Sequence, residues 1–346
     1  VLNSLCHKTD KTMIEIKEPY KNKLSKKKFI DLFAGIGGFH TAFSSFGARC
    51  IFSSEWDKHA QQVYEENFFE KPAGDITQIS EKLIPRHNIL CAGFPCQAFS
   101  ISGKQKGFND TRGTLFFDVV RIAKHHQPEL LVLENVKNLG NHDNGKTLKV
   151  ILETLDKIGY DAFYKVLNAA HFGVPQKRER IYIVGFNKNL KVKNFEFPNP
   201  PMTAVKLKDV LLSDEETEQY IIDREDVYLK EKLQVERDIF GRYPLKPIRV
   251  GTVNKGGQGE RIYHEDGHAI TLSAYGGGVG AKTGLYLVND RIRKLAPREC
   301  CHLTGLPDTF RMHSSKTQAY KQFGNSVVVD VLQHIILGIL KKGIIA

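Results

Sequence analysis

Residues 28–38 read KFIDLFAGIGG. A short apolar run ends at Phe33-Ala34, and Gly35, Gly37 and Gly38 follow within four positions. That order predicts a buried strand, a tight glycine turn and the first turn of a helix. The same alternation continues downstream. CIFSSEWD (50–57) reads as a second strand ending in acidic residues, HAQQVYEENF (59–68) as a helix and NILCAGFPC (88–96) as a strand breaking into a loop. LFFDVVRIAKHH (115–126) and LKVILETLDKIG (148–159) read as helices flanking the apolar strand LLVLENV (130–136), and AFYKVLNAA (162–170) and RIYIVGF (180–186) as two more strands. Strands alternating with helices of about ten residues imply an α/β fold, a mostly parallel sheet with helices on both faces. Ligands on such sheets bind beyond the carboxyl ends of the strands.

The texture changes after residue 194. FPNPPM (197–202) is a proline-rich hinge, and residues 196–238 carry twelve acidic side chains. Residues 251–284 hold ten of the 29 glycines, separated by the β-like runs RIYH, AITLS and LYLVN. A smaller, glycine-rich, β-containing domain is therefore expected over 194–320, after a larger one over 29–193. The amphipathic run YKQFGNSVVVDVLQHIILGIL (320–340) predicts a C-terminal helix over 321–346 that returns to the first domain.

The chain has 346 residues, a net charge of +11 and a pI near 9.2, which suggests a polyanionic partner. Residues 1–28 supply +5 of that charge, eight lysines against Asp10, Glu15 and Glu18, and read as a flexible basic leader. Met13 opens MIEIK, so residues 1–12 read either as an upstream extension or as a segment foreign to the natural protein. None of the six cysteines forms a CxxC pair, and their spacings match neither a zinc site nor a disulfide framework, so reduced thiols and no metal are expected. No apolar stretch reads as approaching the roughly 18 residues of a membrane span, and no signal-peptide core follows the basic N-terminus. A soluble cytoplasmic protein is the expectation.

Glu55-Trp56-Asp57 ends the second strand about 20 residues after the glycine turn, where a carboxylate meets ribose hydroxyls and a flat ring meets a purine. Without GxxxxGK[ST], a triphosphate is disfavoured, and S-adenosylmethionine, which has no phosphate, fits the turn. Asp75 reads either as a partner for the adenine amino group or as the cap of the short helix after it. Cys91, inside ILCAG, reads as a core thiol. Cys96 follows Phe94-Pro95, where the strand must end, and so reads as lying in the loop at the carboxyl edge. Glu134 ends an otherwise apolar strand, which makes it a solvated, capping, ion-paired or catalytic carboxylate. A thiol, a carboxylate and a methyl-sulfonium donor suit methylation at cytosine C5. That carbon is too electron-poor to take a methyl group until a thiolate adds at C6, while an acid at N3 stabilises the developing charge.

FAGIGG, the EWD strand end, GFPCQAFS (93–100), ENV (134–136), QKRER (176–180) and QFGNSV (322–327) occur in an order and spacing that resemble the DNA (cytosine-5)-methyltransferases from Phe29 to the C-terminus. The resemblance implies Cys96 as nucleophile, Glu134 at cytosine N3, and Arg178 and Arg180 holding the flipped base and its phosphate. It implies a cofactor site lined by Phe33, Gly35, Gly38, Glu55, Trp56, Asp75, Ile76, Pro95, Leu115, Asn325 and Ser326, and a target-recognition role for the second domain. Gln258 would replace the flipped base opposite the orphan guanine and Ser102 would enter from the other groove, in a candidate lid with Gly103 and Gly107 as hinges. Arg261, Thr271, Tyr275, Gly276 and Gly277 would face DNA. GGQGERIY (256–263) and LSAYGGG (272–278) resemble the loops of GCGC-modifying members, which implies GCGC with its first cytosine methylated. A monomer of a type II restriction-modification system is expected in a bacterial cytoplasm, acting on double-stranded DNA and sharing its site with a cognate endonuclease. Two other readings are an RNA cytosine methyltransferase of the tRNA-directed branch, which has a shorter recognition region than the roughly 130 residues here, and a non-catalytic DNA-binding relative, in which Cys96 or Glu134 would have decayed.

Overall fold

The computed structural model of the chain describes residues 16–94, 115–201, 203–230, 245–276 and 278–345, and for Gln258 the backbone alone. Two compact units emerge: one comprises residues 16–168, 179–199 and 331–345, the other residues 169–178 and 200–330.

The first unit follows the alternation of the sequence. Its elements are β1 (Lys28–Leu32), α1 (Gly38–Ser44), β2 (Arg49–Ser54), α2 (Lys58–Phe68), β3 (Ile89–Gly93), α3 (Leu115–His126), β4 (Leu130–Val136), α4 (Lys146–Lys157), β5 (Tyr160–Asn168) and β6 (Glu179–Asn187). The six strands form one sheet in the order β2-β1-β3-β4-β6-β5. The β1–β2, β1–β3 and β3–β4 pairs are parallel, and β6 runs antiparallel to both β4 and β5. Only residues 169–178 separate β5 from β6, too short for a helical crossover, so the strands reverse.

Alternation along β1 sets what each face buries. Ile30 and Leu32 join Leu90, Ala92, Leu131 and Leu133 in a core shared with Phe116, Val119 and Ala123 of α3 and Leu148, Ile151 and Leu155 of α4. On the opposite face the Phe29 ring packs on Phe43 of α1 at 5.5 Å. His40 stacks on Phe68 at 3.9 Å, and its Nδ1 lies 2.7 Å from the Tyr64 hydroxyl. Burial lowers the His40 imidazole to about 4, so this ring is neutral packing at neutral pH.

The second unit contains α5 (Asp214–Thr217), β7 (Val227–Leu229), β8 (Arg249–Val253), β9 (Arg261–His264), β10 (Leu285–Val288), β11 (Arg291–Arg293), α6 (Pro297–His302) and α7 (Lys316–Asn325). Its strands pair in the order β11-β10-β9-β8-β7 around Val250, Val253, Ile262 and Leu285. AITLS, expected as a strand, is not one: Ala269 alone makes an isolated bridge, to Gln176. A buried bidentate pair, Arg293 with Glu299, ties β11 to α6, and Glu299 also accepts the Leu212 and Ala296 amides.

The last helix, α8 (Val329–Lys341), lies from Val331 onward in the first unit, where Gln333 Nε2 donates to Ser45 Oγ at 3.0 Å. The expectation that no stretch is long and apolar enough for a membrane span needs correction. Lys316–Lys341 passes by length and composition, but 78% of its most apolar window is buried inside the protein and the path breaks between Asn325 and Val329. These are the core helices of a globular fold.

Candidate active site and its relatives

The glycine turn and the end of β2 form one hydrogen-bonded unit. The Glu55 side chain is buried, its Oε2 accepting the Gly35 amide at 2.8 Å and its Oε1 the Asp57 amide at 2.9 Å. Burial raises the Glu55 carboxyl above its usual range, against the pull of those amides. Phe33 adopts φ 56°, a left-handed conformation rare outside glycine, so the turn is held in a strained shape next to this carboxylate. Gly37 has φ +89°, and a Cβ there would fall 2.0 Å from the Phe68 ring, so both conformation and space demand glycine. Asp31, fully buried in β1, is pushed well above the carboxylate range by burial, with the His40 amide opposing and the Glu55 charge adding.

These residues fit a ribose-bearing ligand without a phosphate. The Gly35 amide already serves a carboxylate, which would repel a phosphate, and space is open where a Gly35 Cβ would project. Trp56 is 76% exposed directly after Glu55, a free aromatic face at the strand end. Ile76 is buried, Gly38 opens α1 and Leu115 opens α3. Asp75 is exposed and caps the turn Ile76–Gln78 through the Thr77 amide, so its capping reading is realised in one oxygen.

At the other end of the unit Glu134 closes β4. Its Oε1 lies 3.2 Å from Arg180 Nε, and the two side chains are 10% and 15% exposed. Glu134 faces Tyr182 in the antiparallel register while Arg180 faces Val136, so the guanidinium reaches one diagonal step along the strand pair. On its other side Glu134 is in register with Gly93, the last residue of β3, and the chain that leaves the sheet there arrives at Cys96 three residues later. Cys96, Pro95, Ser102, Gly277 and the lid glycines lie outside the described residues. Cys91 is fully buried in β3, and burial pushes its thiol well up.

Within the second unit Arg178 is buried. Its Nη1 donates to the Leu272 carbonyl at 3.3 Å, and its Nη2 to the Gly324 and Ser326 carbonyls at 3.1 and 2.6 Å. Asn325 is exposed and Ser326 buried at the end of α7. The two glycine loops meet through the Gly280 amide, which donates to the Gly259 carbonyl at 2.7 Å. Glu260 braces GGQGE by accepting the Gly257 amide and the Asn254 side chain. Arg261 opens β9 with its Nε buried and without a hydrogen-bond partner among the described residues. Tyr275 is exposed, Gly276 packs on the Ala281 carbonyl, and the Thr271 hydroxyl donates to the Lys177 carbonyl. Sequence reasoning passed over Glu260, Gln176 and Asp31. For Glu260 the signal was present, a carboxylate three residues after a turn residue.

Residues 27–341 match the family described as C-5 cytosine-specific DNA methylase. The chain belongs to that family. Among relatives of this cytosine methylase, the type II methyltransferase M.HhaI of Haemophilus parahaemolyticus is 57% identical over 93% of this chain and 96% of its own. The type II methyltransferase M.NgoBI of Neisseria gonorrhoeae is 44% identical over 88% and 90%. Among solved structures, the S. pombe Dnmt2 methyltransferase superposes with a TM-score of 0.67 at 18% identity over 92% of this chain and 99% of that one, a likeness of fold. This methylase is thus a type II DNA cytosine-5 methyltransferase, and methyltransferases of the family generally use S-adenosylmethionine.

Proposed function

We propose that the protein methylates the first cytosine of GCGC in double-stranded DNA, as the monomeric modification enzyme of a type II system whose endonuclease cuts the same site in a bacterial cytoplasm. The observation that carries the chemistry is the placement of Glu134, braced by Arg180 and in register with the strand that runs on to Cys96. In this reading the target cytosine swings out of the duplex, because C6 and C5 are inaccessible within the stack. The Cys96 thiolate adds to C6, and Glu134 holds the proton at N3 so that electron density builds at C5. Arg180 fixes Glu134 and contacts the base. Phe33, Gly35, Gly38, Glu55, Trp56, Asp75, Ile76, Pro95, Leu115, Asn325 and Ser326 would hold S-adenosylmethionine, which would supply an electrophilic methyl group to C5 and leave as S-adenosylhomocysteine. Loss of the C5 proton to solvent water then lets the C6–S bond break, which re-forms the C5–C6 double bond and returns the Cys96 thiolate.

Residues 29–193 and the last helix act as catalytic body, and 194–320 as target-recognition domain. Target choice is assigned to the paired loops. Arg261 stands at the edge of the loop carrying Gln258, and a bidentate arginine–guanine contact is worth about 1–3 kcal/mol of discrimination. Ser102, Thr271, Tyr275, Gly276 and Gly277 complete the DNA-facing set. The loops at 256–263 and 272–278 resemble those of the HhaI enzyme, which supports GCGC. Bisulfite sequencing of a plasmid carrying the expressed gene tests the claim. Methylation at the first cytosine of every GCGC is expected, and methylation centred on another motif would overturn it. Methyl transfer to tRNA and not to DNA would favour the RNA reading.

A further inference from the structure

We infer that Arg178 is a positioning residue that locks the target-reading loop to the loop carrying Asn325 and Ser326, and so couples recognition of DNA to binding of the cofactor. This departs from the contact with the flipped base implied by the family resemblance. It rests on the proposed assignment of those two loops.

Three segments of the second unit converge on residues 175–178. Gln176 is fully buried: its Nε2 donates to the Leu303 carbonyl at 2.6 Å and its Oε1 accepts the Leu272 amide at 3.1 Å. The Lys177 amide donates to the Ala269 carbonyl, the Ala269 amide to the Pro175 carbonyl, and the Thr271 hydroxyl to the Lys177 carbonyl. Residues 269–272, which lead into the recognition loop, are thus laced to 175–178 rather than paired in a sheet. Arg178 then extends the lacing to a third segment through the Gly324 and Ser326 carbonyls. Those carbonyls lie at the C-terminal end of α7, where unpaired acceptors and the helix dipole favour a cation. A planar guanidinium can serve Leu272 and α7 at once; an ammonium on a flexible stem cannot hold the same fixed fork.

Gly324 gives independent support. A Cβ there would fall 2.3 Å from the Ala274 amide nitrogen and 2.5 Å from the Ser273 carbonyl carbon, so the two loops touch backbone to backbone. Two loops packed at van der Waals contact and pinned by one buried guanidinium do not shift separately. A ligand that orders one lowers the cost of ordering the other, and the effect must be reciprocal.

Hydrogen exchange of the wild-type protein with S-adenosylhomocysteine, without DNA, should show slowed exchange at 271–276 as well as at 324–327. Binding by S-adenosylhomocysteine that leaves 271–276 unchanged overturns the inference. A wild type that does not bind S-adenosylhomocysteine at all, judged by Trp56 fluorescence, overturns the cofactor assignment and the inference with it. In a second arm, the affinity for S-adenosylhomocysteine is measured with and without an oligonucleotide carrying the site found by bisulfite mapping. The wild type should show a coupling of about 5- to 150-fold. Arg178→Lys should lose most of it while binding the cofactor analogue alone within about threefold of wild type; a merely structural role would weaken both alike. An unchanged coupling factor in Arg178→Lys refutes the proposal. If that variant does not fold, the exchange measurement on the wild type still decides.

Discussion

Arg180 Nε lies 3.2 Å from Glu134 Oε1 across the β4–β6 pair, with both side chains almost closed off from solvent. In the proposed reaction that carboxyl group serves cytosine N3. Glu134→Gln retains the shape and loses the acid. Single-turnover methyl transfer should fall by about 10²–10⁴ with DNA binding largely kept. A Gln variant with wild-type turnover would remove Glu134 from the reaction.

The nucleophile can be caught. DNA carrying 5-fluorocytosine at the target offers no C5 proton to lose, so the adduct at C6 should accumulate and peptide mapping should locate it on Cys96. Cys50, Cys91, Cys300 and Cys301 are all buried, and burial pushes Cys50 and Cys301 up to about 12, which leaves these thiols inert. Cys91→Ala should stay active at a stability cost on the order of 1 kcal/mol or more. An adduct on any other cysteine would displace Cys96.

Trp56 is the only tryptophan and its ring is open to solvent, so intrinsic fluorescence reports on the pocket. S-adenosylmethionine should change the emission saturably. Glu55→Ala should move the titration to higher cofactor concentration, by about 10- to 150-fold for one lost charge-assisted hydrogen bond of about 1.5–3 kcal/mol. The absence of any emission change at saturation would argue against this pocket.

Gly37→Ala should destabilise the fold, since the new methyl group meets Phe68 and the left-handed backbone penalises alanine. A loss of about 1–3 kcal/mol in urea unfolding is expected, with cofactor binding weakened in parallel. Unchanged stability would mean that the turn relaxes freely.

Much of this was legible because it is local. The run FIDL followed by three glycines dictates strand, turn and helix, and the carboxylate after the second strand needs only its spacing. What stayed hidden depends on partners without a sequence signature. Arg178 binds carbonyls of Leu272, Gly324 and Ser326, far away along the chain, and every residue has a carbonyl. AITLS has the apolar content of a strand, yet its neighbours are residues 175–177, whose arrival no periodicity announces. The break between α7 and α8 interrupts a run whose apolar pattern is nearly continuous, which is why one helix was expected.

Asp330, near the start of α8, carries a pH signature. Burial raises its carboxyl to about 8, opposed by a backbone amide. The folded state therefore keeps a proton that the unfolded chain releases near pH 4. The stability from this group is complete below that pH and is lost as pH rises to about 8, by roughly 1.4 kcal/mol per pH unit. Asp31 and Glu55 are shifted in the same direction, so the wild type should weaken steadily across this window. Urea midpoints at pH 5, 6, 7 and 8 should fall less steeply for Asp330→Asn. Parallel slopes for the two proteins would contradict the assignment.

Among the described residues the chain passes between its two units at 168/169, 178/179, 199/200 and 330/331, so the described part of the second unit is assembled from two separate pieces of sequence. On the proposed reading of this unit as the recognition module, its exchange between relatives is therefore not a single cut-and-paste. A graft of 200–330 alone would leave Gln176 and Arg178 of the recipient to satisfy the carbonyls of a foreign loop. Hybrids that carry the ten-residue excursion at 169–178 along with the larger piece should inherit a new target intact. With the second unit as the proposed reader of the target, the heritable unit of specificity is discontinuous, and recombination that respects only the longer segment is expected to yield enzymes that fold but read poorly.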